Sequence, residues 1–154
     1  MKAVSAKMSS TYTENGTPYT ADNCIDGVLT GTASLCHTGF DGAPWLALDF
    51  GAEIIVDRVV LHNRDDSNGN RLSNAEVRVA NQSPESSQQM FSGGQLLDTF
   101  KGPGEDGEVV TLTSSSGLRG RYVIAQIPQL GFLHLNEFTV WGTRPGILNL
   151  SLGS

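Results

Sequence analysis

The 154 residues predict a single all-β domain built as a sandwich. Three observations carry this. No window places apolar residues at i, i+3, i+4 and i+7 over three turns, so no amphipathic helix is expected. Short runs rich in β-branched and aromatic residues recur at close spacing. Dipeptides that tolerate positive φ separate them: Asp26-Gly27, Asp41-Gly42, Asn68-Gly69, Gly93-Gly94 and the Gly102-Pro103-Gly104 turn.

The strands follow in order. Trp45 to Phe50 alternates large apolar with smaller or polar residues, and Ile54 to His62 is β-branched and too short for a helix. Ala75 to Val79 alternates cleanly, with Val77 and Val79 on one face and Glu76 and Arg78 on the other. Glu108 to Leu112 and Arg121 to Ile127 are two more. Pro84 to Ser87 is a polar break. Leu135 to Trp141 closes the domain, with Phe138 and Val140 facing one way and Glu137, Thr139 and Trp141 the other. The expected boundaries are a domain over 1–142 and a tail or linker over 143–154.

Composition narrows the function. Ten Lys and Arg against sixteen Asp and Glu leave a net charge of −6, which argues against nucleic acid and against an anionic membrane as partner. No stretch approaches the ~20 apolar residues of a membrane-spanning helix. No apolar run follows Met1-Lys2, so no secretory leader is expected within the sequence. Cys24 and Cys36 lack the C-x-x-C spacing of a zinc site and fit either one bridge or two buried thiols.

One constellation carries chemistry. His37 is followed after 26 intervening residues by Arg64, then Asp66, then Arg71. His37 is expected in a loop before the Trp45 strand, Arg64 just past the strand ending at Asn63, and Arg71 across the following turn. Loops at one end of a sandwich cluster in space, so these residues can share a rim. A guanidinium fork spans neighbouring sugar hydroxyls, and Asp66 can fix an arginine. The competing reading is a plain loop salt bridge with His37 incidental.

The string His37-x26-Arg64-x-Asp66-x4-Arg71 resembles the signature of the F-type lectins. Asn23 to Gly27, Pro44-Trp45, Leu48-Asp49, Ala75 to Val77 and Leu133 to Glu137 resemble segments of that family in the same order, from about Ala3 to Trp141. The resemblance implies a β-sandwich jelly roll of the discoidin, galactose-binding-domain-like kind. It implies a non-enzymatic lectin that takes terminal α-L-fucose on fucosylated glycans. His37, Arg64 and Arg71 would donate to the ring oxygen, the 3-hydroxyl and the axial 4-hydroxyl, and Asp66 would hold the arginines. Tyr12, Tyr19 and Phe40 are candidates for the patch under the fucose methyl. Many members carry adjacent cysteines before the second Arg; here Ser67-Asn68 stands there, so Asn68 can offer a polar contact instead.

The resemblance also implies one structural Ca²⁺, held largely by backbone carbonyls of Asn23, Asp26, Val28, Ser34, Asn136 and Glu137. Family bridges join the His loop to the last strand. Asn136 stands where that partner would be, which leaves a Cys24–Cys36 bridge or two free thiols. An extracellular or cell-surface location is expected, with a homo-oligomer or a larger multidomain parent chain possible. The alternatives are a discoidin-type adhesion module or a carbohydrate-binding module of a glycan-processing enzyme. Against catalysis, no G-x-S-x-G elbow occurs, and Asp65 with Asp66 on one turn seldom face one centre. His62, in a strand, and His134, expected just before the last one, read as packing residues. Phe40 alone among acids is a poor lipid spike, so no membrane insertion is expected.

Overall fold

The computed structural model describes residues 1–146. Nine strands follow in chain order: β1 (Ser5–Met8), β2 (Thr13–Glu14), β3 (Thr17–Pro18), β4 (Cys36–His37), β5 (Trp45–Asn63), β6 (Ala75–Ala80), β7 (Gln95–Phe100), β8 (Val109–Gln126) and β9 (His134–Thr143). β2 and β3 form a small hairpin of their own, and the other seven share one continuous ladder, β4-β9-β5-β8-β6-β7, with β1 added to β5.

That ladder folds into two layers because β5 and β8 are long and bent. The first half of β5, around Leu46 to Asp49, pairs with β1 and with Tyr122 to Gln126 of β8, which in turn pairs with β6. The second half of β5, from Ile54 onward, pairs with the other end of β8 and with β9. The sequence predicts four strands here, and each pair runs on as one. The reason is local: Gly51 takes φ +78°, so the chain turns a corner between Asp49 and Ile54 with a slip of register. Apolar residues of both halves then meet: Leu46, Leu48 and Phe50 pack with Val59, Leu61, Phe138 and Val140 in one buried cluster. Each such side chain contributes about 1.5–3 kcal/mol of burial. This is the expected sandwich jelly roll.

Three further boundaries shift. His37 lies in the short strand β4, paired with His134, and not in a loop. His134 opens β9 instead of preceding it. Thr143 pairs with Ile55 and Arg144 donates to the Phe50 carbonyl at 3.2 Å, so the ordered ladder passes the expected edge at 142. The remainder of the expected tail, 147–154, lies outside the described residues. β7 is exposed along most of its length, which explains why it has no apolar alternation to read.

Candidate carbohydrate site

The rim is built by three segments that hydrogen bonds fix in place. His37 comes from β4. Its N–H donates to the Tyr19 carbonyl at 3.2 Å, and its carbonyl accepts from Tyr12 N–H at 2.8 Å. A Cys24–Cys36 disulfide, with Cα atoms 5.4 Å apart, ties the preceding residue to the turn at Ala21–Ile25. This resolves the open cysteine question in favour of the bridge. Arg64 follows the end of β5. The turn beyond it folds around the buried Asn63 amide, which donates to the carbonyls of Gly69 and Glu105, both at 2.9 Å. Gly69 N–H donates to Asp106 at 2.7 Å, and a Cβ at Gly69 would stand 2.6 Å from the Asp106 nitrogen. Only glycine fits there, and Arg71 is delivered two residues later.

His37, Arg64, Arg71 and Asn68 line one cavity of about 230 Å³, with Tyr12, Tyr19 and Phe132 among its walls. Arg64 pairs with Asp66 through two parallel bonds, Nε–Oδ1 at 2.5 Å and Nη2–Oδ2 at 3.1 Å. The Arg64 bond holds the Asp66 carboxyl down at about 2, with the Thr32 hydroxyl assisting. Asp66 therefore orients Arg64, but it does not hold both arginines as expected. Arg71 has no carboxylate partner among the described residues. Its guanidinium carbon lies 4.8 Å above the Phe132 ring, so an aromatic face fixes it.

His37 also departs from the expected donor role. Its Nδ1 lies 2.7 Å from the Thr38 carbonyl, which can only accept, so Nδ1 carries the hydrogen. Burial, with Arg64 and Arg71 adding to it, lowers the ring's pKa despite that bond. The neutral ring then leaves Nε2 as an acceptor for a ligand hydroxyl. The Tyr12 ring stacks on it at 4.6 Å, and Phe132 meets it edge-on at 5.4 Å. Behind it, His134 is buried at 4.8 Å with neither ring nitrogen bonded, pushed down to about 3 mainly by burial. His62 is half-buried elsewhere on β5.

Two placements differ from expectation. Phe40 does not line the cavity; it is 60% exposed and leans on Phe132 from outside, at 5.3 Å. Phe132 and Thr32 join the cavity unannounced. Phe132 is a lone aromatic after Gly131, with no periodicity to mark it.

A second polar cluster joins the segment before β4 to β9. Asn136 donates to the Gly31 carbonyl at 2.8 Å and to the Ser34 hydroxyl at 2.9 Å, and Asn23 donates to the Leu35 carbonyl. Glu137 accepts from Gly27 N–H at 2.9 Å, and Val28 N–H donates to Asp26. Two buried oxygens, Asn136 Oδ1 and Glu137 Oε1, have no hydrogen-bond partner. Burial raises Glu137 to about 7, with neighbouring Asp26 adding to the rise and the Gly27 bond opposing it. Unpartnered hard oxygens beside a second carboxylate are a donor set that fits a calcium-sized cation.

Residues 23–124 match the NedA-like, galactose-binding domain family. The chain belongs to this family. Its similarities within that family run to F-type lectins, as the signature implies. Fucolectin-6 of Anguilla japonica is 28% identical over 128 residues, covering 81% of this chain and 64% of that protein. The structure of a fucolectin from striped bass (Morone saxatilis) serum matches with a TM-score of 0.80 at 26% identity, over 91% of this chain and 47% of that one. The lectin domain of lectinolysin, solved with Lewis B antigen, matches at 25% identity and a TM-score of 0.69, over 93% of this chain and 95% of that one. This NedA-like domain thus spans less than two thirds of the eel protein and about half of the bass lectin. None of its described helices is long and apolar enough to cross a membrane.

Proposed function

We propose that this domain is a non-catalytic lectin that holds a terminal α-L-fucose in the cavity of His37, Arg64 and Arg71. One observation carries the reading: three directional polar groups converge on a sugar-sized cavity, and the protein already occupies the carboxylates nearby. Asp66 is bound by Arg64, Asp65 accepts from Gly31 N–H, and Glu14 accepts from the Tyr19 hydroxyl at 3.3 Å. Glycoside hydrolysis needs two carboxyl groups free to flank a bond, and these are not. Arg64 and Arg71 donate to the ring oxygen and vicinal hydroxyls, and neutral His37 accepts a hydrogen bond from the axial hydroxyl at Nε2. A hydroxyl that accepts from an arginine and donates to His37 uses both of its capacities. A sugar lacking it leaves buried donors unpaired, at a cost of about 1–3 kcal/mol each. Tyr12, Tyr19 and Phe132 supply the apolar wall for the methyl and C–H faces.

A structural Ca²⁺ belongs to the same reading. Asn136 and Glu137 would hold it with their unpartnered oxygens, and carbonyls of Asn23, Asp26, Val28 and Ser34 would complete the shell. Bound there, the ion would supply positive charge to Glu137 and the neighbouring Asp26 and would tie the segment before His37 to β9. The ligands are fucosylated glycans met outside the cell or at its surface. One small site per chain gains useful avidity from repetition, in an oligomer or a larger parent chain. The lectin unit extends at least through Arg144, which still bonds to the Phe50 carbonyl.

The test uses p-nitrophenyl α-L-fucoside. Saturable binding with no release of nitrophenol is expected. Release of nitrophenol overturns the non-catalytic reading, and absence of binding overturns the fucose assignment.

A further inference from the structure

Residues 81–94 join β6 to β7 without strand or helix. A loop longer than about 12 residues with no structure of its own is uncommon in a compact domain, and is either functional or disordered. This one is pinned from beneath, which leaves function. The Trp45 indole N–H donates to the Ser86 carbonyl, and Ala43 N–H donates to the Ser87 carbonyl, both at 2.9 Å. The buried Gln126 side chain donates to the Gln89 carbonyl at 3.1 Å and accepts from Phe91 N–H at 2.8 Å. Phe91 packs on a small apolar cluster of Trp45, Ala47, Ala80 and Ile124, apart from the main core. Its ring lies over Gly93, where a Cβ would displace it.

Held this way, the loop does not collapse onto the sheet. It lines an open groove of about 790 Å³, with Lys7 of β1 completing the wall. The groove shares no residue with the fucose cavity. Lys7 and Glu85 are its two charged side chains and cancel, so the lining favours a neutral ligand. Met90 and Phe91 are half-buried and turn apolar surface to the groove, which suits the C–H face of a sugar ring. Gln82 and Gln89 are exposed on the walls, and among the described residues neither side-chain amide is bound to another group. A carboxamide has a donor side and an acceptor side, so it pairs reciprocally with another amide. A pyranose that carries an acetamido group offers both halves of the match. Its ring lies on Phe91, its methyl on Met90, and its N–H and C=O meet the glutamines.

We propose that the 81–94 loop forms a second saccharide site, separate from the fucose cavity, that takes an N-acetylated hexosamine. The site goes beyond the fucose reading and stands without it. A chain that carries both holds two sugars at once, which raises avidity on a mixed glycan surface.

The experiment follows backbone amide shifts by NMR as methyl N-acetyl-β-D-glucosaminide or methyl N-acetyl-β-D-galactosaminide is added to the full chain. Methyl β-D-glucoside and N-methylacetamide are the comparators. At least one acetamido glycoside shifts the amides of 82–93 saturably, about tenfold more tightly than either comparator. Gln82→Ala and Gln89→Ala each weaken that binding about fivefold, and Gln89→Ala keeps the backbone carbonyl that Gln126 holds. Phe91→Ala abolishes it, and Arg71→Ala leaves it unchanged. No shift with either glycoside refutes the site, as does unchanged binding in both glutamine variants. Shifts confined to the rim around His37 and Arg64, or binding lost in Arg71→Ala, place the sugar in the fucose cavity and refute it too. Equal binding of the glucoside overturns the acetamido assignment, and equal binding of N-methylacetamide overturns recognition of a sugar.

Discussion

Two polar clusters adjoin β4, and they are built to opposite rules. The rim gathers Arg64, Arg71 and His37 around an open cavity, and its carboxylates are bound by protein donors. The other gathers oxygens, two of them buried without partners, and contains no basic side chain among its expected ligands. A rim rich in donors with one neutral acceptor suits a neutral polyol. A buried oxygen cluster suits a hard cation. The segment 31–34 touches both: Thr32 donates to Asp66 at the rim, and the Gly31 carbonyl and Ser34 hydroxyl accept from Asn136.

The comparison breaks most easily at the rim. Arg64→Ala or Arg71→Ala is expected to abolish detectable fucose binding while circular dichroism stays unchanged. Each loses a charge-assisted donor set, on the order of 2–4 kcal/mol or about a hundredfold. Normal binding by either variant would remove the assignment of that arginine. Replacing both Cys24 and Cys36 by Ala is expected to cost about 3 kcal/mol of stability in urea unfolding, since the bridge closes a loop of 12 residues' separation. It also loosens His37 and weakens fucose binding, whereas a purely local bridge would change stability alone.

Calcium tests the oxygen cluster. At a hundredfold excess over its dissociation constant, an ion bound only to the folded state adds about 2.7 kcal/mol. Chelation is then expected to lower Tm by roughly 5–10 °C. Glu137→Gln should start from the lower value and respond little to chelator. A chelator-insensitive Tm in the unaltered protein would remove the ion from the account.

A smaller effect concerns pH. The groups facing His37 are Arg64, Arg71, Asp66, Tyr12, Tyr19 and His134. Because the pKa of His37 lies below the ordinary 6.5 in the fold, the neutral ring is favoured there. Its contribution to stability is complete above 6.5 and falls as pH drops below that value. Fucose affinity is expected to be flat above pH 6.5 and to fall below it, as Nε2 gains a proton and the rim a third positive charge. Asp66 stays ionised throughout, since its pKa is held near 2. His37→Gln should flatten the profile. The smallest effect belongs to Arg78→Ala, on the face of β6 away from the core: its ion pair with Glu76 spans 3.5 Å, and fucose affinity should not change.

Much of the fold was legible because alternation and turn chemistry act locally. Val77 and Val79 are buried as their spacing predicts. The fusion of four strands into two was not, because a positive-φ glycine reads equally as a bend or an end, and only partners across the sheet decide. At the site, Arg64 and Arg71 were legible by spacing. Phe132 was not, because its role depends on Arg71 stacking from a different segment. The acceptor role of His37 was not either, because the Thr38 carbonyl that fixes its tautomer is backbone and leaves no mark in the sequence.

The most direct measurement of the central claim is a calorimetric titration of the calcium-loaded domain with L-fucose and, separately, with D-galactose. Saturable binding of L-fucose at one site per chain, with D-galactose silent and both silent in Arg71→Ala, is the predicted result. Binding of D-galactose with L-fucose silent would contradict it, and would give the rim a different sugar despite its lectin signature.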